Sequence, residues 1–142
     1  MTPGILLLED NQDRIDRFLL VASKLGLVPH VWKSAGGMVR EIGPFLPHVR
    51  LISLDHDLEP LADGSDPGDG LEVAKHLTGL LPTCPVIVHT SNTARGDAME
   101  GDLALAGWKY RRILPIGDDW IEVDWYMAAR KLLRRPRKDT SA

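Results

Sequence analysis

Cysteine is almost missing from this 142-residue chain: Cys84 stands alone, which rules out an internal disulfide and a cysteine-built zinc site. Long apolar runs are missing too. The N-terminal stretch "MTPGILLLED" meets acids at Glu9 and Asp10 and has no basic segment before it, so it reads as a strand and not as a secretory leader. No other segment approaches the ~20 apolar residues that span a bilayer, and a reducing cytoplasm is the expected setting. Internal repeats and low-complexity tracts are also absent. With 44% hydrophobic and 26% charged residues, the composition excludes a disordered or fibrous chain and predicts one globular domain over residues 1–133. The net charge of −3 conceals an uneven distribution, because residues 130–138 carry six bases. The basic tail, residues 134–142, is expected to be disordered and solvated; contact with a phosphate backbone or an acidic partner is the alternative.

What is present alternates between two patterns. Short apolar segments at Gly4–Leu8, Leu27–Trp32, Val49–Leu54, Pro85–His89 and Tyr110–Ile116 predict five strands. Three of them are apolar at nearly every position, as expected of strands covered on both faces. Between them, helical spacing is visible over residues 12–25, 34–46, 70–81, 93–106 and 119–133, with Gly36, Gly37 and Gly43 weakening the second. Strands alternating with helices imply a doubly wound α/β fold with a parallel sheet. The order expected is the flavodoxin-like 2-1-3-4-5, which places ligands beyond the C-terminal strand ends.

Charge gathers at those ends. The first strand closes on Glu9 and Asp10, the third on Asp55, His56 and Asp57, and the fourth on His89, Thr90, Ser91 and Asn92. With strands one and three adjacent, up to four carboxylates converge, and like charges at that range raise one another's pKa unless a cation compensates. Glu9, Asp10, Asp55 and Asp57 are therefore candidate ligands of a divalent ion. Oxygen donors favour Mg2+, and a histidine in the shell would admit Mn2+, iron or zinc. The plainer reading is that Asp10 caps a helix and Asp57 opens a loop.

Strand alternation predicts that Asp55 and Asp57 point one way and His56 the other, and that His89 and Thr90 diverge. The two histidines then share one side, or one of them is a packed core imidazole with a satisfied hydrogen bond. Thr90, Ser91 and Asn92, followed by Arg95 in a first helical turn, form a candidate phosphate seat, although "TSNT" is also an ordinary capping sequence. Residues 58–70 hold Asp63, Asp66 and Asp69 but lack the spacing of a calcium loop, which leaves an acidic flap or a tolerated insertion. Trp108, Trp120, Trp125 and Tyr126 read as core aromatics.

The segments "ILLLEDN", "LISLDHDLEP", "DGLEVAKHL", "PVIVHTS" and "AGWKYRRILP" together resemble the receiver domain of bacterial response regulators, over residues 4–133. The resemblance implies a (βα)5 receiver fold. It also implies magnesium bound by Glu9, Asp10 and Asp55, phosphorylation of Asp55 and a hydroxyl role for Thr90. The lysine that the family places before a proline at the end of strand five is Leu114 here, with Lys109, Arg111 and Arg112 nearby. His56, Asp57 and the "HTSN" of residues 89–92 resemble the receiver-related cyclic-phosphate processing group. That likeness implies hydrolysis of cyclic phosphates, RNA ends among them.

Three functions follow as expectations. The first is a metal-dependent phosphoesterase with Asp55 at the ion and His56 or His89 as general base or acid, acting on a phosphate-containing small molecule or an RNA end. The second is a receiver phosphorylated on Asp55 by a sensor kinase. The third is a pseudo-receiver that docks to an output protein without catalysis.

Overall fold

Apolar side chains on both faces make β1 (Gly4–Leu8), β3 (Val49–Leu54) and β4 (Val86–His89) the buried centre of a sheet, flanked by β2 (Val28–Trp32) and β5 (Tyr110–Ile113) at its edges. In the computed structural model, which describes residues 2–134, all five strands run parallel in the order β2-β1-β3-β4-β5. This is the doubly wound receiver architecture expected. Helices α1 (Gln12–Lys24), α2 (Ala35–Glu41), α3 (Gly70–Leu77), α4 (Thr93–Leu105) and α5 (Tyr126–Leu133) cover the two faces.

The two-residue period of a strand sorts the core into two layers. Leu6, Leu8, Ile52, Leu54, Val86 and Val88 meet Met38, Val73, Leu77 and Met99 on the face of α2, α3 and α4. Ile5, Leu7, Leu51 and Ile87 meet Phe18, Val21, Trp120 and Trp125 on the face of α1 and α5. Parity then assigns Ser53 and His89, both buried, to the α1/α5 face.

Four elements differ from the sequence expectation. The helix expected over 70–81 ends at Leu77, with Thr78 as its C-cap. The helix expected over 34–46 stops at Glu41 and continues as a 3-10 turn over Gly43–His48, because Pro44 has no N–H with which to extend the ladder. β5 ends at Ile113, two residues before Pro115. The last helix begins as a π-turn over Ile121–Trp125, in which the Trp125 amide bonds to the Trp120 carbonyl at 2.7 Å. The tail expected over 134–142 lies, beyond Arg134, outside the described residues. No helix among the described residues is long and apolar enough to cross a membrane.

Candidate active site

Parallel register brings the ends of β1, β3 and β4 level. Leu8 pairs with Leu54 and Leu54 with Val88, and the Asp55 amide bonds to the Leu8 carbonyl at 3.1 Å. The residues that follow these pairs thus emerge together.

Glu9 is completely buried. Its Oε2 accepts the amides of Asp10 (3.2 Å) and Asn11 (3.0 Å), and its Oε1 lies 3.0 Å from His89 Nε2. Burial alone would raise this carboxyl, but the hydrogen bond and charge of His89, the Asn11 amide and Arg14 together hold it below the ordinary range. Behind the pair runs a closed chain. Trp125 Nε1, a donor only, gives its proton to Ser53 Oγ at 2.9 Å, and Ser53 Oγ lies 2.7 Å from His89 Nδ1. Ser53 Oγ can donate to Nδ1 of a neutral imidazole or accept from Nδ1 of a charged one, and in both cases Nε2 donates to Glu9. Phe18 stacks against the same imidazole with ring centroids 5.1 Å apart.

Asp55 sits beside Glu9 with less support. Its Oδ1 accepts the His56 amide at 2.7 Å, and its Oδ2 lies 3.9 Å from Arg14 Nη1. Burial pushes this carboxyl up to about 6; Glu9 adds to the rise, and His89, the His56 amide and Arg14 oppose it. The two neighbouring acids shift in opposite directions because only Glu9 holds an imidazole directly.

Asp55 and His56 diverge as alternation predicts, but the extended run stops at Leu54, so Asp57 is swung out to the rim with its side chain 66% exposed. His56 is buried toward α3: its Nδ1 lies 2.9 Å from Asp57 Oδ1, and its Nε2, 3.5 Å from Asp69 Oδ2, has no hydrogen bond. The two histidines therefore occupy opposite faces of the sheet. Neither borders the crevice, a cavity of about 230 Å³ lined by Asp10, Asn11, Arg14, Asp55, Asp57, Glu59, Thr90, Ser91 and Pro115. A direct general-base or general-acid role for His56 or His89, expected from the sequence, has no geometry to support it in this arrangement. A larger cavity, about 450 Å³ near Val28, His30 and Phe45, is mostly apolar and holds none of the strand-end acids, so the site belongs at the crevice.

The phosphate-seat candidates divide. Thr90 is buried at the crevice and its Oγ1 accepts the Asn92 amide at 3.2 Å; Ser91 is exposed at the mouth. Asn92 caps α4 by accepting the Arg95 amide at 3.1 Å, and its Nδ2 lies 3.4 Å from both oxygens of Asp57. The Arg95 side chain is exposed and does not border the cavity. The guanidinium beneath this loop is that of Arg112, 3.4 Å from the carbonyls of Thr90 and Asn92 and paired with Asp97 and Glu100.

Three of the four acids of residues 58–70 are spent on local turns and a helix cap; Glu59 borders the crevice. Asp63 takes the Ser65 amide and hydroxyl, Asp66 takes the Gly68 amide, and Asp69 forms a capping box with Glu72 at the start of α3. The Glu59 amide donates to Asp10 Oδ2 and ties the segment to the crevice.

Sequence reasoning overlooked Arg14. The available signal was its place in the first turn of a helix that leaves directly from the acidic strand end. As for a metal, Glu9, Asp55 and His89 each offer a ligand atom within 4.8 Å of the others. Glu9 and His89 are already hydrogen-bonded to each other, so the acids bordering the crevice are Asp10, Asp55, Asp57 and Glu59, an all-oxygen set that suits a hard divalent ion.

The profile of the cyclic-phosphate processing receiver domain matches residues 5–104, a span that holds every one of these acids, the two histidines and Thr90. The chain belongs to that family. Solved receiver structures share its fold. A receiver domain of an HD domain-containing protein from Pseudomonas fluorescens Pf-5 is 18% identical, with 94% of this chain and 95% of that one covered at a TM-score of 0.67. A CheY-like receiver from Methanospirillum hungatei JF-1 is 16% identical, covering 92% and 98% at 0.62. The receiver domain of a sensor histidine kinase from Pseudomonas aeruginosa PAO1, solved with a magnesium ion in its active-site cleft, is 17% identical, covering 94% and 98% at 0.64. The sequence matches no curated protein. In this receiver Leu114, 48% exposed, stands before Pro115 where the resemblance implies a lysine.

Proposed function

We propose that this receiver opens cyclic phosphate esters, on a small molecule or an RNA end, with a divalent ion held at the crevice. Mg2+ is the first choice and Mn2+ the second. The observation that carries the reading is the cavity of about 230 Å³ in which Asp10, Asp55 and Asp57 share one void with Thr90 and Ser91. The family match lends cyclic phosphate as the substrate class. Asp10 and Asp55 would hold the ion, with the buried charge of Glu9 behind them and Asp57 at the rim. Bound there, a divalent ion lowers the pKa of its water and shields phosphate oxygens. Thr90 Oγ1 accepts from Asn92 and keeps its own proton for a phosphate oxygen, Ser91 stands at the mouth, and Asn92 lies beside Asp57. His89 and His56 are positioning residues, one fixing Glu9 and the other Asp57.

A second reading has one observation in its favour. Asp55 borders the crevice beside Thr90, the arrangement a phosphoryl acceptor needs, although Leu114 supplies no charge to the phosphoryl oxygens. Incubation with Mg2+ or Mn2+ and a nucleoside cyclic phosphate, and separately with acetyl phosphate, divides the two. Metal-dependent ring opening that falls by about 100-fold or more in Asp10→Ala and Asp55→Asn supports the esterase. A stable adduct on Asp55 without ring opening supports the signalling receiver and rejects the esterase.

A further inference from the structure

The crevice is walled by acids, and a phosphate carries negative charge of its own. Arg14 is the one base among its lining residues. Its Nη1 stands 3.9 Å from Asp55 Oδ2 and 4.0 Å from Glu9 Oε1, close enough for attraction and too far for a hydrogen bond. No side-chain hydrogen bond of Arg14 is found among the described residues, so the guanidinium donors are uncommitted. The Trp120 ring lies beneath it, 5.2 Å from the guanidinium carbon, and fixes the side chain, which is 31% exposed.

The other bases near the strand ends are engaged or distant. Arg112 is tied to the carbonyls of Thr90 and Asn92 and to Asp97 and Glu100. Arg111 borders a different pocket, with Met127 and Lys131, and Leu114 brings no charge at all.

We propose that Arg14 is the phosphate-holding cation of this crevice, donating to two non-bridging oxygens of the bound phosphate from α1 instead of from the end of β5. Arginine suits the task, because its planar fork matches a phosphate edge in a way that a single ammonium does not. The inference rests on the crevice being a phosphate site. It does not require that the bound ester be cleaved.

The test is calorimetric titration of inorganic phosphate into the full chain with saturating Mg2+, and of Mg2+ alone, for wild type, Arg14→Ala and Arg14→Ala/Leu114→Lys. Expected is a loss of phosphate affinity of about ten-fold or more in Arg14→Ala, with Mg2+ affinity kept or increased because a competing charge has gone. Leu114→Lys in that background is expected to recover part of the loss by restoring a cation from β5. If Arg14 only neutralises Glu9 and Asp55, Arg14→Ala tightens Mg2+ and leaves phosphate affinity unmoved, and the inference is overturned. Absence of phosphate binding by the wild type overturns it equally. Phosphate binding that depends on Arg14 in a protein inactive on cyclic phosphate would sink the esterase and leave this assignment standing.

Discussion

Asp55 is a carboxylate that the fold makes uncomfortable, and the discomfort is measurable. Its ordinary value is 3.8 and burial lifts it to about 6. The folded state therefore binds an extra proton between about pH 4 and 6, and stability is lost as pH rises through that window. Glu9 behaves oppositely. Its carboxyl lies below its ordinary 4.5, so the stability it contributes is present above that value and is lost as pH falls below it. Metal-free protein should be most stable near pH 5, by about 1 kcal/mol over pH 7.5, and Asp55→Asn should stabilise it at pH 7.5 by up to about 3 kcal/mol. Urea unfolding in chelator measures both. A flat profile between pH 5 and 7.5, or an unaltered decline in Asp55→Asn, contradicts the assignment. Glu9, Asp10, Asp55 and Thr90 were legible in the sequence because each apolar run stops where its strand stops. Arg14 was not, since a base on an amphipathic helix looks like a solvated face until the direction of α1 out of β1 is known.

At the scale of elements, the start of α3 packs directly against the backbone that leaves β3. The Gly70 amide bonds to the His56 carbonyl at 3.0 Å, and a Cβ on Gly70 would collide with the Asp55 carbonyl oxygen. Backbone cannot yield as a side-chain tip can. Gly70→Ala is expected to cost about 1–3 kcal/mol and to weaken Mg2+ binding by shifting Asp55; thermal unfolding together with a Mg2+ titration checks both. Gly96→Ala, whose Cβ would meet the Arg112 guanidinium and not the backbone of an acid, is expected to disturb the Thr90–Asn92 loop while leaving Asp55 in place, and so to change Mg2+ affinity less than Gly70→Ala. The π-turn was beyond sequence reading for a related reason. Residues five apart lie about 140° from each other on an α-helix, so Trp120 and Trp125 could not both face the core. Bonding from residue 125 back to 120 closes that angle, which sends Trp120 beneath Arg14 and Trp125 to Ser53. Apolar spacing over 119–133 announces a helix but not its pitch.

For the whole molecule, the sheet order was legible because continuous apolar strands interleaved with amphipathic helices leave few parallel arrangements, and the resemblance pointed to one of them. The role of the histidines was not, because it turns on which layer each side enters. His89 goes under α1 with Phe18, and His56 goes toward the cap of α3. Two packed layers thus grip the two imidazoles from opposite sides: His56 holds Asp57 at the rim of the crevice, and His89 holds Glu9 buried behind it. The proposed chemistry depends on that crevice holding a cation. Calorimetric titration of Mg2+ into wild type and Asp55→Asn at pH 7.5 tests this most directly. Saturable one-to-one binding in wild type, weakened about ten-fold or more in the variant, is the expected result. Equal affinity in the two proteins, or no binding to either, would contradict it.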